Sequence, residues 1–369
     1  MISPSPAERE NQVRVLQLAP LWETVPPPAY GGTEAVVHCL IQELVKRGVN
    51  VTLCASGDSF SDANFFSVFP RSLRAAGLTD QPWQYSLMHT VLSLKEAADG
   101  SYDLIHNHNG PPSELGMALS HLVDVPMLTT LHNNLTKEDE FIWSNYRGWY
   151  NAISRAQFEC LPCLPQARFA GVVYNSIDVD SFPFETEKDD YALFLGRFAP
   201  EKAPHLAIEA ARRAGIRVVL AGKVGMPEER EYFEALVKPH IDGRDVQFLG
   251  EADGPTKREL YRRARCLLVP IQWDEPFGLV MIEAMACGTP PIAIARGAAR
   301  EIIDNGRTGF LVSDVAEMAR AIDDVDTIDA FTCRAYVEEN FGPAVLADRY
   351  LDIYKRMLQG EREGSVALE

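Results

Sequence analysis

Apolar residues along the chain form short continuous runs that alternate with longer amphipathic segments. The short runs predict buried strands at residues 13–20, 49–55, 101–105, 126–131, 171–174, 191–198, 217–221, 246–250, 266–270 and 291–295. Segments with apolar residues three and four positions apart predict helices at residues 33–46, 113–122, 204–214, 228–240, 256–264, about 278–287 and 343–358. Residues 56–100 are less regular. Strands separated by helical segments predict an α/β fold with parallel sheets.

The length favours two domains. The chain has 369 residues, of which 46% are hydrophobic, and a domain typically takes about 150 residues. Two separate cores are therefore expected, with an open crevice at the carboxyl ends of the parallel strands.

Polar side chains follow two strands of the first half. His106, Asn107, His108 and Asn109 come after one strand, and His132 follows the next. Because the carboxyl ends of neighbouring parallel strands meet at one edge, these imidazoles are expected in the crevice. An H-x-H pair converging with a third histidine can also bind a metal, and a satisfied structural histidine is a further interpretation of each.

Two glycines stand before the first predicted helix. Gly31 and Gly32 end a proline-rich loop, and Thr33 is the predicted N-cap of helix 33–46. Paired glycines allow the backbone to approach a ligand closely, whereas an ordinary strand-to-helix turn does not require two. The sequence is not G-x-G-x-x-G, so a dinucleotide fingerprint is not indicated.

The stretch from Trp273 to Pro290 is the most informative part of the chain. Glu275 precedes a helix that opens at Gly278, and Glu283 lies eight residues later on its second turn. The free amides of a helix start, here those of Gly278 and Leu279, form an anion site. A ligand with phosphates at the helix start and hydroxyls on either side fits this arrangement. Two glutamates on a solvated helix face are the competing interpretation of the spacing alone.

Arg197 and Lys202 lie in the turn after the first strand of the second half, in the segment GRFAPEK. A forked guanidinium and a point-charge ammonium could together hold a diphosphate that gains negative charge. The alternative is two solvated bases near a helix start.

Composition and charge exclude several classes of function. The formal net charge of −17 argues against nucleic acid as a partner, because phosphate binding requires a basic face. No basic run favours an anionic membrane surface, and no apolar run reaches the roughly 18 residues of a membrane span. Seven cysteines are scattered, Cys54 and Cys266 within apolar strands, and the lone Cys160–Cys163 pair does not predict a zinc site. A cytoplasmic protein is expected.

Taken in order, these motifs resemble those of the retaining glycosyltransferases of family 4, which have the GT-B fold of two Rossmann-like domains facing a cleft. Glu275 and Glu283 match the E-x7-E signature, and GRFAPEK matches the family's G-R-x-x-x-x-K segment. The segment Asn175–Asp178 is similar to N-G-I-D with a serine in place of glycine. Residues 297–301 stand where G-G-x-x-E is expected, with Ala298 replacing the second glycine and Glu301 retained.

The resemblance implies roles for the candidate residues. Arg197 and Lys202, with the amides of Gly278 and Leu279, would hold the donor diphosphate; Glu283 would bind the ribose and Glu275 the transferred sugar. Gly31 and Gly32 would close over the diphosphate, and His132 would face the donor sugar. No metal or other cofactor is expected, because these cationic groups supply the positive charge.

The resemblance also implies domain limits and an activity. Residues 1–176 with 344–369 would form the acceptor-side domain, to which the terminal helix returns, and residues 177–343 the nucleotide-sugar domain. The expected reaction is transfer, with retention, from a nucleoside diphosphate sugar, UDP being the common nucleotide, to an unidentified soluble acceptor. A non-catalytic nucleotide-sugar binding protein and another GT-B enzyme, such as a nucleotide-sugar 2-epimerase, are the alternatives. The sequence does not predict an oligomeric state.

Overall fold

A computed structural model describes residues 13–29, 31–79, 82–110, 119–137 and 140–360, and it contains two parallel β-sheets. The strands of the first sheet are β1 (Arg14–Leu18), β2 (Asn50–Cys54), β3 (Asn64–Phe66), β4 (Leu104–Asn107), β5 (Met127–Leu131), β6 (Trp149–Ala152) and β7 (Arg168–Val172). Those of the second sheet are β8 (Asp189–Leu195), β9 (Arg217–Ala221), β10 (Val246–Phe248), β11 (Ala264–Val269), β12 (Pro291–Ile294) and β13 (Phe310–Val312). The expected class, α/β with two parallel-sheet domains, is confirmed.

The strand order places a topological switch in each sheet. The first runs β3-β2-β1-β4-β5-β6-β7 and the second β10-β9-β8-β11-β12-β13. The direction of winding therefore reverses between β1 and β4 and again between β8 and β11. Ligands of open α/β sheets bind outside the carboxyl ends of the strands at such points.

Helices connect the strands. They are α1 (Gly32–Lys46), α2 (Trp83–Ala97), α3 (Glu140–Trp143), α4 (Arg155–Cys160), α5 (Pro204–Ala214), α6 (Pro227–Tyr232), α7 (Gly254–Arg263), α8 (Leu279–Ala286), α9 (Ala299–Ile302), α10 (Val315–Asp324), α11 (Ala330–Phe341) and α12 (Pro343–Gln359). The helix predicted at 113–122 lies mainly outside the described residues, and Ser120–Leu122 forms a 3-10 turn.

Two predicted helix details are wrong. The N-cap of α1 is Gly31, not Thr33, because Gly31 takes a φ of 148° and its carbonyl accepts from Ala35 N at 3.0 Å. The helix predicted at 228–240 is interrupted: α6 passes into a π-helical turn at Phe233–Val237 and then a 3-10 turn at Lys238–His240. Pro239, which has no N–H to donate, lies within that last turn.

Two strands of the first sheet are displaced from the prediction. β4 begins at Leu104 rather than Ser101, so His106 and Asn107 lie within the strand. β7 ends at Val172 because its pairing with β6 starts at Arg168, opposite Trp149. β6 itself is not predicted by the apolar pattern, since its buried residues include the polar Asn151.

Apolar packing places the terminal helix beside the first sheet. Leu346, Tyr350 and Tyr354 of α12 are buried in the same cluster as Leu40 and Leu44 of α1. Residues of β8, β9, β11 and α8 form a separate and larger cluster. The exact domain limits, 1–176 with 344–369 and 177–343, stay a prediction.

Leu279, at the start of α8, joins the two clusters, because it packs against both. The two cores therefore approach each other at the helix start that the sequence predicts as an anion site.

Candidate functional site

A lysine and a glutamate meet at the switch point of the second sheet. Lys202, in the turn after β8, forms an ion pair with Glu275, in the turn after β11. The same carboxylate accepts a hydrogen bond from Trp273 Nε1 at 2.9 Å, and the ammonium lies 5.2 Å from the centroid of the Trp273 ring. Both charged side chains are mostly buried, with 22% and 12% of their surfaces exposed. The structure thus joins two of the predicted catalytic residues.

Arg197 follows β8 directly and is held by carboxylates. It pairs with Glu229 and, at 2.7 Å, with Glu201. Burial raises the pKa of Glu229, but hydrogen bonds from Gly225 N and Met226 N and the charge of Arg197 outweigh it, so the net pKa is lowered. The guanidinium is therefore preorganised, and a phosphate would share it with two existing acceptors.

Glu283 lies buried on the second turn of α8. Its carboxylate accepts from Lys257 Nζ and from Tyr261 OH, each at 2.8 Å. Burial and the charge of Glu283 raise the pKa of Tyr261 well above its usual range. Sequence reasoning missed Lys257, because only the packing of α7 against α8 brings this lysine to Glu283.

The predicted glycines converge on the start of α8. Gly278 has a φ of 93°, and a Cβ there would lie 2.6 Å from Met281 Cε. A Cβ on Gly32, from the other domain, would lie 3.0 Å from Leu279 Cδ1. Gly31 adjoins the carboxylate of Glu34, whose oxygen would be 3.1 Å from an added Cβ. The glycine loop of the first domain therefore approaches the free amides of α8 in the second.

His132 lies at the carboxyl end of β5, where the first domain meets the Glu275 loop. Two residues later, Asn134 Nδ2 donates to the carbonyl of Asp274 at 3.0 Å, across the domains. His132 Nε2 lies 3.1 Å from His108 Nδ1. Burial lowers the pKa of His132 to about 4, so the ring is neutral at pH 7.

His106 and His108 are fully enclosed by protein partners. His106 contacts Tyr354 OH at 2.6 Å and Thr130 Oγ1 at 2.8 Å, and His108 Nε2 contacts Gln17 Oε1 at 2.8 Å. Within the described ranges, no group of three or more potential ligand side chains is arranged to hold a metal ion. The three imidazoles form a hydrogen-bonded network with neutral partners.

Glu301 connects the second domain to the first. Its carboxylate accepts from the amides of Arg155 and Ala156 at the start of α4, at 2.8 and 2.7 Å, and from Tyr174 OH at 2.8 Å. A carboxylate at a helix N-terminus satisfies free amides and complements the helix dipole.

None of the helices in the described part of the chain combines the length and apolar character that a membrane crossing requires.

Comparisons with known proteins relate this chain to glycosyltransferases. Residues 30–179 match the family model described as "Glycosyltransferase Family 4", and residues 177–337 match "Glycosyl transferases group 1". The glycogen synthase of Mycobacterium tuberculosis is 26% identical over 95% of this chain and 96% of its own. The D-inositol 3-phosphate glycosyltransferase of Mycobacteroides abscessus is 28% identical over 76% of this chain and 73% of its own.

A solved structure shares the fold. HepE of Anabaena, determined in complex with UDP and glucose, superposes with a TM-score of 0.68 at 18% identity, over 93% of this chain and all of that one. The two family models adjoin at the crossover between the two sheets, which is where the strand topology changes domain. The chain therefore belongs to the family 4 glycosyltransferases, which are enzymes of the GT-B fold.

Proposed function

We propose that this glycosyltransferase transfers a sugar from a nucleoside diphosphate sugar, with UDP as the nucleotide, to a soluble acceptor with retention at the anomeric carbon. The observation that carries the proposal is the Lys202–Glu275 pair at the switch point of the second sheet, one residue from the Asp274 carbonyl that Asn134 contacts. This position brings a cation, a carboxylate and the loop after His132 to one place between the domains.

The diphosphate would lie over the start of α8. There the amides of Gly278 and Leu279 supply donors, Lys202 and Arg197 supply positive charge, and Gly31 and Gly32 allow close approach from above. Charge placed in advance around the departing oxygen stabilises the transition state without reorganisation. Because protein groups provide this charge, we propose that catalysis requires no metal ion.

The remaining candidates would bind the sugar and the ribose. Glu283, already an acceptor for Lys257 and Tyr261, would accept from the ribose hydroxyls. Glu275 and His132 would contact hydroxyls of the transferred sugar from opposite domains. The buried Nδ2 of Asn109 and Oδ1 of Asn134 have no hydrogen-bond partner among the described residues, which suits a polar ligand at these strand ends.

The proposed sugar transfer takes place in the ternary complex of enzyme, donor and acceptor. The bond between the anomeric carbon and the diphosphate oxygen breaks, and the electron pair leaves with the diphosphate. The acceptor oxygen attacks the same face and forms the new glycosidic bond. Its proton passes to the departing phosphate oxygen, so the products are the glycoside and the nucleoside diphosphate.

The test begins with thermal stabilisation by a panel of UDP-, GDP- and ADP-sugars, because a ligand bound only by the folded state raises the melting temperature. The stabilising donor, radiolabelled, is then incubated with a panel of soluble acceptors in the presence and absence of EDTA, and the anomeric configuration is determined by NMR. Transfer with retention that survives EDTA supports the proposal. Binding without transfer or donor hydrolysis would instead identify a nucleotide-sugar binding protein.

A matched pair of variants assigns any activity to this cleft. Glu275→Gln removes the charge opposite Lys202, whereas Glu234→Gln changes an exposed carboxylate that pairs with Lys238. Activity lost in the first and retained in the second supports the site. Equal activity in both variants contradicts it.

A further inference from the structure

A chain of buried hydrogen bonds runs through the first domain and ends at His132. It starts at Asn151 of β6, whose Nδ2 lies 3.3 Å from the carbonyl oxygen of Ala152. A backbone carbonyl only accepts hydrogen bonds, so the amide nitrogen must face it and the amide oxygen must face away. That oxygen lies 2.7 Å from Thr130 Oγ1. The single proton of the Thr130 hydroxyl is therefore directed to Asn151. Tyr350 OH accepts from Asn151 Nδ2 at 3.3 Å and donates to Thr130 Oγ1 at 2.9 Å.

This assignment determines the polarity of the next links. A hydroxyl that donates its proton elsewhere can only accept from His106 Nε2, 2.8 Å away, so Nε2 carries the proton of that ring. His106 Nδ1 is then an acceptor, and Tyr354 OH, at 2.6 Å, must donate to it. Tyr354 belongs to the terminal helix α12, which thus forms part of the chain. Its oxygen accepts from Gln17 Nε2 at 3.0 Å.

The last links reach the cleft. With its nitrogen directed at Tyr354, Gln17 presents Oε1 to His108 Nε2 at 2.8 Å, so His108 is protonated at Nε2. His108 Nδ1 must then accept from His132 Nε2 at 3.1 Å. His132 Nδ1 has no hydrogen-bond partner among the residues that the structure describes, and the ring is only partly buried.

The three rings are neutral, as this scheme requires. Burial lowers the pKa of His106 and His108 well below the usual value and that of His132 to about 4. A neutral imidazole has one N–H donor and one acceptor nitrogen. In each ring, the role of one nitrogen as donor or acceptor therefore determines the opposite role of the other nitrogen.

We propose that Asn151 and Thr130, acting through Tyr354 and Gln17, hold His132 as the Nε2–H tautomer and make Nδ1 a hydrogen-bond acceptor for a substrate hydroxyl. These four are positioning residues, because they act on His132 through the hydrogen-bond chain and only His132 lies at the cleft. The tautomer follows from the hydrogen bonds alone, whereas its use toward a sugar hydroxyl rests on the proposed function.

The test compares two isosteric substitutions in one strand. Thr130→Val removes the hydroxyl that transmits direction from Asn151. Thr129→Val removes a hydroxyl that is equally buried but bonds Tyr146 and Asn107 on the opposite face of the sheet. Long-range 1H–15N correlation spectra of histidine-labelled protein distinguish the two tautomers, and His132→Gln assigns the signal.

We expect the wild type to show His132 protonated at Nε2 only. Thr130→Val should add a second tautomer of His132 and lower kcat/KM by about 3- to 10-fold, the effect of one hydrogen bond. Thr129→Val should keep the single tautomer and the wild-type kcat/KM. Tyr354→Phe interrupts the chain at its middle and should behave as Thr130→Val does.

A wild-type His132 protonated at Nδ1, or one unchanged tautomer in both Thr130→Val and Tyr354→Phe, would overturn the inference. Because the spectra require no substrate, the tautomer is tested even if no sugar transfer is found. Failure of the proposed function would leave the spectra as expected and abolish only the kinetic difference between variants.

Discussion

The histidine network at the carboxyl edge of the first sheet is neutral, whereas the candidate residues after the strands of the second sheet form charged pairs. Gln17, His108 and His132 exchange hydrogen bonds of fixed direction. Lys202 with Glu275 and Arg197 with Glu229 are ion pairs. A neutral network is committed to one arrangement when the protein folds. An ion pair can exchange partners, so the diphosphate of the proposed donor would be able to replace a carboxylate beside a cation. In the proposed function, the first domain would therefore orient the sugar, and the charged groups of the second domain would rearrange around the diphosphate.

The strongest test of this contrast removes a cation from the charged site of the second domain. Lys202→Met leaves Glu275 without its ammonium and the diphosphate without a charge partner. We expect the rate of transfer to fall about 10²- to 10³-fold, as for loss of one group that stabilises the transition state. Initial rates of transfer or donor hydrolysis measure it, with Lys238→Met, an exposed lysine, as control. A loss below about 3-fold would contradict the assigned role.

The next test concerns a buried carboxyl group in the first domain. Glu34 of α1 is buried, accepts from Glu23 N, and has its pKa raised by burial from 4.5 to about 7. The folded state thus binds this proton more tightly than the unfolded state. Its stabilising contribution is fully present below pH 4.5 and is lost as the pH rises through about 7.

Glu34→Gln should remove that loss. The difference of about 2.5 in pKa corresponds to about 3 kcal/mol, so the variant should gain about that much over the wild type between about pH 4.5 and pH 8. Urea denaturation at a series of pH values measures the difference. Glu234→Gln, at an exposed carboxylate, is the control, and a parallel response of both variants would refute the expectation.

A smaller effect is expected at the ribose side of the charged region. Glu283→Gln weakens acceptance from a hydroxyl, so the affinity for UDP should fall about 10-fold, the scale of a hydrogen bond to a charged group. The preference of the wild type for UDP over 2′-deoxy-UDP should disappear in the variant. Isothermal titration calorimetry measures both, with Glu259→Gln as control, since that carboxylate pairs with Arg262. Retained discrimination in Glu283→Gln would place the ribose elsewhere.

The smallest effect is expected where the two regions are joined. Glu301→Gln keeps an acceptor for Arg155 and Ala156 N–H but removes the charge from the start of α4. We expect a loss of about 1 kcal/mol in the free energy of unfolding. Thermal and urea midpoints are compared with those of Glu338→Gln, a more exposed glutamate that pairs with Arg334. Equal midpoints for the two variants would show that this link contributes nothing to stability.

The sequence predicts the second domain more closely than the first. Helix 204–214 and strand 217–221 have the predicted limits, because their apolar period is unbroken. In the first domain, β6 is missed since Asn151 interrupts its apolar run, and the start of β4 is displaced. A buried polar residue in a strand is paired only by tertiary structure, and hydropathy carries no sign of it.

The same limit applies to the site. The order of Arg197, Lys202, Glu275 and Glu283 along the chain could be interpreted, because local motifs carry it. The pairs Lys202–Glu275 and Lys257–Glu283 could not be predicted from the sequence, because each pair joins separate elements. The link from Gln17 to Tyr354 spans 337 residues, and no pattern of spacing predicts it.

Leu279 favours the arrangement of the two domains that the structure shows. Its side chain touches both hydrophobic clusters and lies where a Cβ on Gly32 would meet it at 3.0 Å. Separating the domains would wet this leucine, at a cost below the roughly 1.5–3 kcal/mol of exposing a fully buried one. Contact at Leu279 therefore favours this arrangement of the two domains by only a small free energy.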